Sequence, residues 1–407
     1  MTLTTEHDHS PAAAGRQLWD LVATGRPQGR PVYHRPAPEP GPALGLPYPG
    51  TDPLVGTEAQ VASEAPRLAP LAALTAVADG TIGLRRVEPR DLVGPHAATA
   101  SIRGVRVARL TLASDGHEAE YDPVRHALVP AQAPFVPTGL RLEADLDRVP
   151  EGYAPVREVV GLLEAGMHHA TAAWLTGLLL PEWPRTEAEP APGRSPVSAW
   201  HAPGAPRTTR PDPPAAPAGP APAWPLDPDS FARPFGDLLA GLGVLDVLRR
   251  RSAGRGPLGL VPSRRPDPRG TEALPALLRA AAADIGLPES KGAPLRLVPV
   301  SPDAVASAFT YPAHRVDAAA CDTGFLLVAR QDPAAGPEAV RGCLLAAGAC
   351  YQRLALAAGA HGWFLRPVRS VRAPELAAAA RLEPEETILL TLLGGRGRYT
   401  ELSLPTG

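Results

Sequence analysis

The sequence predicts an α+β fold built from two halves, and three observations carry that expectation. Two long, alanine-rich apolar stretches, Val156–Leu180 and Pro337–Trp363, read as core helices, one in each half. Short runs of strand length, alternating or continuously apolar, flank both of them. Between the two lies a proline-dense stretch. It can hold neither a helix nor a central strand, because proline lacks the N–H and fixes φ.

Composition narrows the function classes. At 407 residues the chain has ample length for two packed units. A net charge of −2, from 40 basic and 42 acidic residues, gives no footprint for a nucleic-acid partner. Lys291 is the only lysine, so cationic chemistry rests almost wholly on guanidinium groups. Cys321, Cys343 and Cys350 lack metal-ligand spacing, and their odd number argues against a disulfide framework. Cys343 and Cys350 lie seven apart on a predicted helix and are read as facing one core. No secretory signal opens the chain, and no apolar run of about 18 residues is read in it. The expectation is a soluble cytoplasmic protein with no membrane partner.

In chain order, residues 1–15 read as a disordered tail, and Gln17–Thr24 and Leu68–Ala78 as helices. Val105–Leu112 alternates as a half-buried strand, and Asp115-Gly116 then turns it into a second extended stretch, a hairpin. Residues 16–202 make the first half, 203–230 the linker or surface-hugging segment, and 231–407 the second half. The second half is read as a helix over Phe235–Leu248, a helix over Thr271–Ile285 and a strand over Leu295–Pro299. Strands over Gly324–Arg330 and Thr387–Leu393 come later, with a short helix over Pro374–Ala380 between them. Each half opens on a helix followed by an Arg/Gly cluster, so a duplication of fold is expected without a strict repeat.

The residues with the most chemistry are in the second half. The helix over Phe235–Leu248 runs into Arg249-Arg250-Arg251-Ser252-Ala253-Gly254-Arg255, which gathers guanidinium forks, a hydroxyl and backbone N–H groups. That set suits a phosphate monoester. It also suits a helix C-terminus whose cations complement the macrodipole and stay in water. The last apolar strand runs into Gly394-Gly395-Arg396-Gly397-Arg398. His168-His169 point to different helix faces and lack partners at metal-ligand spacing, and His361 reads as a helix-end cation.

The order helix, RRSAGR, helix, strand, core helix, short helix, strand, GGRGR resembles the nitroreductase-like FMN-dependent oxidoreductases. Within them the chain is similar to the SagB-type azoline dehydrogenases of modified-peptide biosynthesis. Tyr121-Asp122-Pro123-Val124-Arg125-His126-Ala127-Leu128 is similar to that family's Tyr-Asp-Pro…His-x-Leu segment. Leu162-Leu163-Glu164-Ala165-Gly166-Met167-His168 looks like its Leu-Leu-Glu-Ala-Gly-His helix start. Ala347-Gly348, with Gln352-Arg353-Leu354, looks like its Ala-Gly…Gln-Arg-Leu helix. The chain departs from the family in two places. The flavin-facing Pro-Ser-x-Gly loop is matched by Ala98-Thr99-Ala100-Ser101, without the proline. The Lys-Tyr-Gly segment is matched by Gly152-Tyr153-Ala154, without the lysine.

The resemblance implies two nitroreductase-like halves forming an intrachain pseudo-dimer, with FMN as cofactor. It puts Arg250, Arg251, Ser252 and Arg255 on the FMN tail, completed by Gly395 and Arg396 or Arg398, with Ser101 against the ring. Tyr153 becomes the proton acceptor or orienting hydroxyl for the reaction. The implied activity is oxidation of azolines to azoles in a ribosomally made precursor peptide, beside a cyclodehydratase partner and with a homodimer as one assembly. Two other readings stand beside it: a flavin-free scaffold that binds a precursor peptide in a biosynthetic complex, and another small-molecule flavoenzyme of the same fold.

Overall fold

The computed structural model describes residues 10–24, 43–46, 52–87, 95–101, 107–114, 117–123, 125–130, 134–186, 194–204, 222–253, 255–256, 259–260, 268–310, 316–332, 334–396 and 402–403. The first half carries helices α1 (Pro11–Thr24), α2 (Glu58–Glu64), α3 (Pro70–Ile82) and α4 (Arg157–Leu179). Its strands are β1 (Leu44–Gly45), β2 (Leu84–Val87), β3 (Pro95–Ala97), β4 (Ala108–Ser114), β5 (His117–Asp122), β6 (Ala127–Val129), β7 (Gly139–Asp145), β8 (Arg185–Thr186) and β9 (Arg194–His201). The second half carries α5 (Val244–Arg250), α6 (Pro268–Asp284), α7 (Pro302–Ala308), α8 (Pro337–Ala360) and α9 (Ala373–Ala379). Its strands are β10 (Arg255–Gly256), β11 (Gly259–Leu260), β12 (Leu295–Val300), β13 (Thr323–Arg330), β14 (Phe364–Val368), β15 (Glu386–Gly395) and β16 (Leu402–Ser403).

Two antiparallel sheets frame the molecule. One runs β1-β6-β5-β4-β7-β9-β8 and the other β12-β13-β15-β14. Four strands of the larger sheet, β4-β7-β9-β8, repeat the plan of the smaller one. In each, the long core helix lies in the chain between the second and third of those four strands, and the last strand in sequence inserts between its predecessors.

Burial explains the strand patterns. Leu110, Leu112, Leu140 and Leu142 face the core, while Arg109, Arg141 and Glu143 take the other face of the larger sheet. That face is held by ion pairs such as Arg109–Asp145 at 3.0 Å and Arg194–Glu143 at 2.8 Å. Strand β13 is apolar from Phe325 to Ala329 because both its faces are covered. Phe325, Leu327 and Ala329 join the main core, and Leu326 and Val328 join a second cluster with Val305 of α7 and Leu376 of α9.

The two core helices cross through glycine. A Cβ at Gly166 would lie 2.0 Å from Leu345 O, and one at Gly348 would lie 1.9 Å from Leu163 O. The contact is reciprocal: each glycine meets the carbonyl three residues before the other, the pattern of an isologous interface. Helix α8 is long and apolar enough to span a membrane by length and composition, contrary to the sequence expectation. Its apolar window is entirely buried within the fold.

The halves are interleaved at their ends. Helix α1 begins at Pro11, inside the expected tail, and packs on α8 and β15 of the second half. A Cβ at Gly15 would lie 2.2 Å from Ala335 O, and Arg369 Nη2 donates to Val22 O at 2.6 Å. In return, β16 pairs with β2 of the first half. Residues 205–221 of the expected linker lie outside the described residues. The chain beyond them is packed: Ala223 N–H donates to Glu338 O at 3.2 Å, and the turn Pro228–Ala232 lies on α4.

The helix expected over Phe235–Leu248 is broken. A 3-10 turn over Gly236–Leu239 ends at Ala240 (φ 53) and Gly241 (φ 72), and α5 starts only at Val244. Val244 N–H donates to Gly56 O at 2.7 Å, and a Cβ at Gly243 would lie 3.1 Å from the same oxygen. A tertiary contact with the first half overrides the local helical pattern. The three cysteines are free and buried, as the sequence suggests for Cys343 and Cys350.

Candidate functional site

The arginine cluster leaves α5 along the seam between the halves. Gly359 near the end of α8 admits it: a Cβ there would lie 2.9 Å from Arg251 Cα and 3.0 Å from Arg251 N. The chain then runs beside β14. Leu365 N–H donates to Ser252 O at 3.1 Å, and Arg366 Nη1 donates to Ala253 O at 3.4 Å. Leu365 is in register with Gly394, and Phe364 with Gly395. Ser252 and Gly394 are therefore separated by two strand spacings, about 10 Å. Two segments 142 positions apart in numbering, Ser252 and Gly394, meet at one sheet end.

Arg251 reaches away from that sheet into the first half. It is 4% exposed, and its Nη2 donates to Ala97 O at 3.1 Å. Burial lowers its pKa, and Tyr351, hydrogen-bonded to it, acts in the opposite direction. Tyr351 donates its hydroxyl to Leu365 O at 3.1 Å. Arg251 Nε has no hydrogen-bond partner, and no carboxylate among the described residues pairs with this guanidinium. A cation buried this way carries a desolvation cost that an anion would offset.

The segment of residues 97–101 lies across the seam from Arg251 and is tied to both halves. Ala100 N–H donates to Gln352 Oε1 at 3.2 Å. Gln352 Nε2 donates to Thr171 Oγ1 at 3.1 Å and to Ala98 O at 3.4 Å. Thr99 donates to Thr171 at 3.0 Å. Ser101 Oγ donates to Glu164 Oε1 at 3.0 Å, and Val107 N–H donates to the same oxygen at 2.7 Å. Glu164 and Gln352 are fully buried.

The remaining predicted residues are distributed around this seam. Arg250 and Arg396 are exposed at the ends of α5 and β15. Arg255 pairs in β10 with Leu260, while Gly397 and Arg398 lie outside the described residues. Gly395, which the resemblance puts on the FMN tail, and its neighbour Gly394 are approached closely by the protein itself. A Cβ at Gly395 would lie 3.2 Å from Asp322 Oδ2, and one at Gly394 would lie 2.9 Å from Leu274 Cδ2. Tyr153 is half-buried in the 3-10 turn Glu151–Val156 that leads into α4. Its N–H donates to Pro150 O at 2.8 Å, and its side chain packs on the core. The structure brings Arg251, Ser252 and Ser101 to one seam and leaves Tyr153 at the entry of α4.

Sequence reasoning passed over Gln352 and Glu164 as functional residues. A fully polar side chain inside each apolar core helix was the available signal. His168 and His169 are both buried, and no metal cluster occurs among the described residues. His169 instead sits in an aromatic cage, with ring centroids at 4.8 Å to Trp224, 5.8 Å to Phe231 and 6.0 Å to Trp200. His361 ends α8 and stacks on Trp363 at 5.7 Å.

No family model matches the chain, and no curated protein matches it. Among solved structures it is similar to a protein classed as a nitroreductase from Anabaena variabilis, with 12% identity and a TM-score of 0.60. That match covers 91% of this chain and 96% of the other. A protein of the same class from Exiguobacterium sibiricum, solved in complex with FMN, shares 13% identity over 40% of this chain and 92% of its own, with a TM-score of 0.30. At these identities the likeness is one of fold, and the fold is nitroreductase-like.

Proposed function

We propose that this chain is an FMN-dependent oxidoreductase holding the cofactor phosphate in the seam between its halves. The observation that carries the proposal is Arg251, a buried guanidinium without a carboxylate in a nitroreductase-like fold. The phosphate end of FMN fits these residues: Arg251 and Arg250 supply charge, and Ser252 and Ala253 supply backbone beside them. Arg255, Arg396 and Arg398 are the further cations the reading assigns to the same phosphate. Bound FMN would supply the hydride acceptor that an oxidation needs.

Within that reading the substrate is an azoline in a ribosomally made precursor peptide, oxidised to the azole, with a cyclodehydratase as the enzyme that forms the ring. Tyr153 is the residue assigned to the proton, and Ser101 the one assigned to the flavin ring. The two halves are read as an intrachain pseudo-dimer. The shared strand order and the reciprocal Gly166–Leu345 and Gly348–Leu163 contacts support that reading. A homodimer of the whole chain is a further level of assembly within this proposal.

One observation favours a second reading, a flavin-free scaffold that binds a precursor peptide. The donors of residues 97–101 expected to meet a flavin are taken by Gln352, Thr171 and Glu164. An absorbance spectrum separates the two. Flavin bands in the purified or FMN-supplemented protein, lost in Arg251→Ala and in Arg398→Ala, support the first reading. Their absence from a folded, FMN-supplemented protein selects the second. A mass loss of about 2 Da per ring on an azoline peptide then identifies the substrate, since one hydride and one proton leave together.

A further inference from the structure

The reciprocal glycine contact relates the two core helices residue by residue. The step that carries Gly166 to Gly348 also carries Leu163 to Leu345, His169 to Tyr351 and Gly177 to Gly359. Gly359 and Tyr351 are the two positions of α8 that seat Arg251, one against its backbone and one against its guanidinium. Their counterparts on α4 have different company. A Cβ at Gly177 would lie 2.5 Å from Ala232 O, so the chain lying there is the arm beyond the proline-rich segment.

That arm fills the counterpart position. His169 Nε2 meets Pro228 O at 3.3 Å, and its ring contacts Trp224 and Phe231 of the arm. Burial pushes the His169 pKa down to about 4, so it offers no charge there at neutral pH. The cation that acts on His169, Arg185 of β8, already has an anion: its Nε donates to Asp229 of the arm at 2.5 Å. On one side of the pseudo-dimer a guanidinium is buried without a carboxylate. On the other the arm itself supplies the packing, and Asp229, its side chain 60% exposed, pairs with Arg185 at the surface.

We infer that the chain has one seat for a phosphate-bearing ligand, at Arg251, and that its counterpart on α4 is closed by the packing of the arm of residues 222–232. The inference rests on the flavin reading for the identity of the ligand. It adds the stoichiometry, and it gives the arm a role: the arm occupies the ligand position of the first half. The asymmetry also accounts for the loop of residues 97–101, which faces Arg251; the short connection between α6 and β12, residues 285–294, is what the second half has in its place.

Equilibrium dialysis of the full chain against FMN tests this. One FMN per chain is expected, with affinity reduced at least tenfold in Arg251→Ala and partly restored in Arg251→Lys. The histidine ring signals of His169 in a 1H–15N spectrum should stay unmoved at saturation. Two FMN per chain, or a shifted His169 ring, would overturn the single seat while leaving the flavin reading intact. No FMN on a folded chain, by circular dichroism, would overturn the flavin reading and this inference with it. Asp229→Ala should leave the stoichiometry at one, because the arm's aromatic packing still covers α4; a second FMN in that variant would put the closure in the Asp229 carboxylate and overturn the packing of the arm as the plug.

Discussion

Gly348 of α8 faces the carbonyl oxygen of Leu163 in α4 so closely that a Cβ would lie 1.9 Å from it. The neighbour is helix backbone, which cannot swing aside as a flexible side chain could. Gly348→Ala should therefore force the core helices apart and destabilise the protein by about 3 kcal/mol or more. Denaturant unfolding checks this; a loss under about 1 kcal/mol would mean that the two helices can part at little cost.

On the proposed flavin function, Arg251 sets stability against binding. Removing a buried cation that lacks a carboxylate relieves its desolvation, at the cost of the bond to Ala97 O. Arg251→Met should leave the ligand-free protein within about 1 kcal/mol of its parent while abolishing flavin retention. Paired thermal melts and absorbance spectra read both quantities. A large stability loss with flavin retained would make Arg251 a purely structural residue.

Gln352 joins three buried groups, the Ala100 N–H, the Ala98 carbonyl and the Thr171 hydroxyl. Gln352→Leu leaves the Ala100 N–H and the Ala98 carbonyl buried without it, for a cost of about 2–4 kcal/mol. The same variant should speed amide exchange at Ala100, which hydrogen-exchange mass spectrometry resolves. Thr171→Val, which removes one side of the network, should cost less.

His169 makes the fold sensitive to acid. Burial lowers its pKa from 6.5 to about 4, with the Pro228 carbonyl opposing the shift. The unfolded chain takes up this proton near pH 6.5 and the folded chain only near 4, so the unfolded state binds more protons in between. Stability is complete above that window and falls as pH drops through it, by about 3 kcal/mol in full. His169→Gln should flatten that part of a stability-against-pH curve. An unchanged slope would assign the acid sensitivity to other groups.

The fold was legible wherever burial is uniform or strictly periodic. The core helix expected over Val156–Leu180 is found at Arg157–Leu179, because small and apolar residues all round it leave no other state that buries them. The Gly324–Arg330 run is legible as a strand apolar on both faces, but the elements that cover it are not, since α7 and α9 come from elsewhere in the chain. Of the site, the resemblance puts the segments of Ser252 and Gly394 on one phosphate, and the structure brings them to one sheet end about 10 Å apart. Arg251–Ala97 and Gln352–Ala100 were not legible, because they span 154 and 252 positions and leave no local pattern. The break at Ala240-Gly241 was hidden for the same reason: its cause, Gly56, lies in the other half.

The exchange of ends between the halves has a consequence for synthesis. Helix α1 leaves the ribosome more than 300 residues ahead of α8 and β15, the surfaces it packs on. At about 5–20 residues per second, that surface emerges roughly 20–80 s later. Through that interval Leu18, Trp19 and Val22, all buried in the finished protein, lack the second-half surface they pack on, and the first half offers the turn Glu151–Val156 beside the helix. A chain stalled before α8 would present an apolar helix to the cell's chaperones.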